Sequence, residues 1–209
     1  MVLRGIFGPS KDEVWGQFAN EMGGEYINKG VFKPKQVIVE FEGWVIILDS
    51  FSRSHGKSST TYTRIRAPYN PIDRLQFKIY KSGLFSDLGK ALGMQDIEIG
   101  EVDFDEKFII KGDSEDKVRE FLSGDKIKEL IMKLDRFSIE IKHGEGMFSS
   151  NLVEGSHELY YESVGIIKDV NRLKELFMLY ILLLDKLLNM GIADKVNIES
   201  TMKGLRKED

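Results

Sequence analysis

The chain has 209 residues, a formal net charge of −4 and no cysteine. The lack of cysteine excludes disulfide scaffolds, thiol nucleophiles, iron–sulfur clusters and cysteine-type zinc sites. With 42 % hydrophobic and 31 % charged residues the profile is globular, and the length suits a single domain over 1–209 with its own core.

The opening 15 residues carry no apolar run of signal-peptide length. The longest apolar run, 176–184, is closed by Asp185 and Lys186, well short of the roughly 20 residues a membrane span needs. No membrane insertion and a cytoplasmic location are therefore expected.

Ser10 and Glu13 have the spacing of a capping box, and Trp15, Phe18, Ala19 and Met22 share one face of the helix that follows. Gly23 and Gly24 end it. Residues 25–31 read as a strand. Residues 36–41 and 44–49 form a hairpin around Glu42–Gly43, pairing Phe41 with Trp44, Val39 with Ile46 and Val37 with Leu48 on one apolar face. Residues 51–59 read as a polar loop, and 60–66 and 75–81 as two strands joined by a turn at 67–71. A short helix is expected at about 84–92. An acidic connector then leads to a strand at 108–111. Gly112–Asp113 and Gly124–Asp125 open two helices ending near 122 and 134. Strands follow at 137–142, 146–152 and about 157–162. A long helix runs from about 169 to 190 and stops at Gly191. The ordered core spans about 10–192, and the charged tail 202–209 is expected to fray. The pattern predicts an α+β fold: a largely antiparallel sheet, helices packed on one face and a long C-terminal helix.

Several familiar motifs are excluded. Residues 55–58, His-Gly-Lys-Ser, contain the end of a phosphate loop, but Phe51 stands where that loop needs glycine and a strand follows instead of a helix. Asp103, Asp105 and Glu106 sit in a calcium-loop-like run, yet Lys107 occupies the third ligand position. That connector reads as a solvated loop held by Phe104 and Phe108. His55, His143 and His157 occupy separate turns without ligand spacing, and no nucleophile-elbow signature is present. No metal or cofactor is expected.

Charge is uneven. Between Phe51 and Lys81 there are seven cationic side chains against Asp73 alone, a local +6 that leaves −10 for the rest. Strand alternation places Tyr62, Arg64 and Arg66 on one face, and Arg74, Gln76, Lys78 and Tyr80 on one face of the next strand. If the two strands pair, four cations flanked by tyrosines form a surface for a phosphate-bearing molecule or single-stranded nucleic acid. The alternative is a solvated face on which Glu40 and Asp49 neutralise Arg64 and Arg66. The acidic balance speaks against general nucleic-acid affinity. On the last helix Leu173, Leu176, Phe177, Tyr180, Leu184, Leu187 and Leu188 share a face, while Met178, Leu179 and Leu182 lie opposite. That second group suggests either a homodimer interface or cover by the same chain.

Three stretches, Tyr62 to Gly100, Phe104 to Leu122 and Trp15 to Gly24, resemble a family of uncharacterised bacterial proteins. The resemblance spans roughly Trp15 to Gly191. It implies a bacterial origin and transfers no catalytic residue. The function expected is a noncatalytic domain that binds a partner protein or small ligand. An anionic-ligand binder using the basic face is the alternative, and a carboxylate-only hydrolase using Asp49, Asp96 and Glu98 is a third option.

Overall fold

The computed structural model describes residues 8–28, 35–81, 94–143 and 155–207, so the helix expected at 84–92 and the strand expected at 146–152 lie outside the described residues. In chain order the elements are α1 (Lys11–Glu21), β1 (Glu25–Ile27), β2 (Gln36–Phe41), β3 (Trp44–His55), β4 (Ser58–Pro71) and β5 (Phe77–Lys81). There follow β6 (Gln95–Asp96), α2 (Val102–Lys107), β7 (Phe108–Gly112), α3 (Glu115–Phe121), α4 (Asp125–Met132), β8 (Phe137–Lys142) and β9 (His157–Val164). The chain closes with α5 (Val170–Asn189), β10 (Ala193–Lys195) and α6 (Ile198–Lys207). The fold is α+β, and every ladder between these strands is antiparallel.

Local signals set the local elements. The Ser10 hydroxyl accepts from the Glu13 N–H at 3.2 Å and the Glu13 carboxylate accepts from the Ser10 N–H at 2.9 Å, completing the capping box. Glu42 (φ 48°) and Gly43 (φ 85°) are both left-handed, as a two-residue primed turn requires. The hairpin takes the expected register, Val37 opposite Leu48 and Phe41 opposite Trp44. Phe41 faces the helices but sits at their margin, 38 % exposed, with its ring 6.0 Å from that of Phe177. Asp169 caps α5 by accepting from the Arg172 N–H, and Gly191 ends that segment at φ 67°.

Two segments expected as loops are strand. Residues 51–55 and 58–59 continue the β3–β4 hairpin to a turn at Gly56 and Lys57, because alternating Ser and Thr suit an extended ribbon as well as a loop. Residues 67–71 prolong β4. Pro68 is tolerated there because it falls past the last β3 rung, Ile47 opposite Arg66, so its missing N–H breaks no bond to β3. The acidic connector contains α2, and Asp105 accepts the N–H groups of Ile99, Gly100 and Glu101 at 2.9 to 3.1 Å.

The strand order is β1-β2-β3-β4-β9-β8-β5-β7-β6, with β10 also paired to β4. β4 and β5 therefore do not pair, contrary to expectation: β9 and β8 lie between them. β9 and β10 both pair with Tyr69, so they hold opposite edges of β4, and β10 takes the edge that β3 has left.

One sheet face carries Val39, Ile46, Leu48, Ile65, Ala67, Phe77, Ile79, Ile139, Leu159 and Tyr161, all in the main core with buried residues of α1, α3, α4 and α5. The Tyr180 hydroxyl donates to the Ile65 carbonyl at 2.9 Å, fixing α5 over the middle of the sheet, and the Trp15 indole donates to the Ile167 carbonyl at 3.0 Å. Burial pushes the Tyr161 phenol up to about 12 and holds that of Tyr180 well above its ordinary value.

On the far side of α5 the two readings of the sequence part. Leu179 is completely buried and shares a hollow with Leu130 and Leu134 beside α4, so it belongs to the intrachain core. Leu182 is half-buried against the same core, and only Met178 of the three is exposed. The tail corrects an expectation. α6 lies on the opposite sheet face, where Met202 and Leu205 cluster with Ile27, Ile38, Val45 and Ile47. This explains why Ile38, Val45 and Ile47 are buried although they point away from the main core. Leu205→Ala is expected to lower stability in urea denaturation by about 2 kcal/mol or more, as for a core leucine. A change below about 0.5 kcal/mol would indicate an unpacked tail.

Candidate functional site

Of the basic residues singled out in the sequence, Arg64, Arg66 and Lys78 fall on one sheet face, opposite the main core, but the order of strands puts acids among them. Asp49 lies opposite Arg64 on β3, and Glu162 lies opposite Arg64 on β9. Arg64 donates through Nε and Nη2 to the two oxygens of Asp49, both at 2.7 Å, and Arg66 donates to Asp49 Oδ2 at 2.7 Å. Lys78 donates to Glu140 on the adjacent β8 at 2.7 Å. Arg53 meets Glu162 at 3.2 Å, and the Tyr160 hydroxyl donates to the same carboxylate at 2.9 Å. Burial, reinforced by Glu162, raises the Tyr160 phenol above its ordinary value. Burial lowers the Lys142 ammonium, which sits 3.2 Å over the Tyr160 ring, and Glu140 partly offsets that. Tyr62 stacks on Phe51 at 5.2 Å beneath the Arg53 guanidinium, and Tyr80 stands on β5 opposite Ser138.

The face is thus a self-neutralised lattice. Asp49, Glu162, Arg66 and Lys78 are all buried, and each charge has a partner on this face: Asp49 with Arg64 and Arg66, Glu162 with Arg53, and Lys78 with Glu140. Neutralisation by Asp49 matches the alternative reading of the sequence. The hydrolase candidates do not assemble: Asp49 is on β3 and Asp96 on β6, with five strands between them, and Asp96 is paired to Lys111 at 2.7 Å.

Arg74 is the exception among the four cations. It lies outside the sheet, in the connection from β4 to β5. That connection has to arch over the ends of β9 and β8, where His143 and His157 also lie. The arch is pinned along its length. The N–H groups of Ile72 and Asp73 donate to the Ile192 carbonyl at 2.8 and 3.3 Å. Lys117 on α3 donates to Asp73 Oδ2 at 2.6 Å and to the Arg74 carbonyl at 3.0 Å. The Gln76 N–H donates to Asp113 at 2.9 Å. Under the arch, His157 opens β9 opposite Tyr69, with ring centroids 5.7 Å apart. His143 follows the last residue of β8, and its ring meets that of His157 edge-on at 4.5 Å.

Between arch and histidines lies a cleft of about 480 Å³, walled by residues 71–74 and Gln76 on one side and by His143 and His157 on the other. This is within the range of roughly 300–1,000 Å³ typical of small-molecule sites. The sequence reading missed the histidine pair because residues 14 apart in the chain meet only through the β8–β9 register, where Lys142 faces Glu158. That ladder, extended by one rung, was the available signal. Among the described residues no group of three metal-ligating side chains converges. Comparison with family models, curated proteins and solved structures returned no match.

Asp49→Asn keeps the shape of the side chain but leaves Arg64 and Arg66 without a counter-charge. A loss of about 3–5 kcal/mol in urea denaturation is expected. Arg74→Ala, at an exposed position, is expected to change stability by less than about 0.5 kcal/mol. A cost below about 1 kcal/mol for Asp49→Asn would mean that the pair is effectively solvent-screened.

Proposed function

We propose that this chain is a noncatalytic binding domain whose site is the cleft under the β4–β5 arch. The observation that carries the reading is the convergence of Arg74, Gln76, His143 and His157 on a cleft of about 480 Å³ whose walls are held by backbone and side-chain hydrogen bonds. A few polar groups fixed on a rigid scaffold around a concave space are the usual construction of a small-molecule site. The basic sheet face supports a ligand role less well, because its cations already have carboxylate partners. No described helix is long and apolar enough to cross a membrane.

The test is a small-molecule fragment screen read by the ring resonances of His143 and His157. Fragments that bind should shift both rings, and Ile72→Trp, which fills the mouth of the cleft from an exposed position, should abolish those shifts. A screen in which all hits leave both histidines unmoved, or in which Ile72→Trp changes nothing, would overturn the reading.

A further inference from the structure

We infer that the ligand of this cleft carries a carboxylate or phosphate group and that Arg74 holds it. The inference rests on the cleft being the binding site and adds the chemical class of the ligand. Among the described residues three charged groups besides Arg74 stand at the arch, and each is committed. Asp73 accepts from its neighbour's N–H at 2.6 Å and from Lys117 at 2.6 Å, so its negative charge is neutralised within the wall. Lys117 is spent on Asp73 and on the Arg74 carbonyl. Asp113 uses one oxygen to accept from the Gln76 N–H, and its other oxygen makes an ion pair with Arg74 Nε at 3.6 Å, a distance beyond hydrogen bonding that leaves the Arg74 donors unspent.

The Arg74 guanidinium is left 71 % exposed, and among the described residues it donates no hydrogen bond. Arg64 and Arg66, by contrast, each spend donors on Asp49. A planar fork of N–H donors at the wall of a cleft matches the paired oxygens of a carboxylate or phosphate. The Lys117 contact holds the Arg74 backbone, so the fork projects from a fixed base. Among the described residues a cationic ligand has no comparable partner, since Asp73 is paired with Lys117 and Asp113 with Arg74 itself.

The experiment titrates the full chain with inorganic phosphate, with succinate and with neutral succinamide, following the Arg74 Nε–H signal and the two histidine rings. Saturable shifts with phosphate or succinate, weakened at least tenfold by Arg74→Gln and unaffected by Arg136→Gln, are expected. Response to phosphate alone identifies a phosphate ligand, and response to succinate alone a carboxylate. If succinamide binds as well as the anions and Arg74→Gln has no effect, the oxyanion assignment is wrong while the cleft remains the site. If none of the three probes shifts Arg74 or the histidines, the oxyanion assignment fails, and the fragment screen decides the cleft on its own.

Discussion

The β4–β9 ladder is the constraint on which the rest of this molecule depends. It joins the meander β1 to β4 to the strands that follow, from Thr63 opposite Ser163 to Tyr69 opposite His157. A slip of one residue would turn Ile65 and Ala67 out of the core and drive Arg64 and Arg66 into it. Tyr180 reinforces the register from above, since its hydroxyl reaches carbonyls of both strands, Ile65 at 2.9 Å and Leu159 at 3.4 Å. The same ladder separates β4 from β5, forces their connection to arch and sets His157 beneath it.

The charged face follows from the same arrangement. Buried carboxylates and cations are costly to desolvate, and they persist only where each finds a partner of good geometry. Asp49 achieves this by accepting three donors from two arginines on one neighbouring strand. Such a lattice adds less to net stability than apolar packing would, but removing one member leaves a buried charge exposed to no water. It penalises wrong registers more than it rewards the right one. Arg74, outside the sheet, is paired only loosely, with Asp113 at 3.6 Å, and stays exposed at the cleft.

The legible parts of the sequence were those set by neighbours along the chain. The capping box at Ser10, the primed turn at Glu42 and Gly43, and the phase of β2 against β3 all rest on contacts a few residues apart. That phase also placed Asp49 on the side of Arg64. What stayed hidden was long-range. Nothing local says that β9 and β8 insert between β4 and β5, so the carboxylates that pair with Arg53 and Lys78 stayed out of view and the histidines looked scattered. α6 was missed for a different reason. Ile198, Met202 and Leu205 have helical spacing, but three apolar residues among so many charges resemble a solvated tail until the outer face of β2 and β3 is seen to need cover.

The most direct measurement is a nuclear Overhauser spectrum of protein with labelled aromatic rings. Cross-peaks are expected from the His157 ring to both the His143 ring and the Tyr69 ring, whose centroids lie 4.5 and 5.7 Å away. Absence of both, with His157 instead close to side chains of the opposite sheet face such as Tyr160, would contradict the β4–β9 register and the cleft built on it.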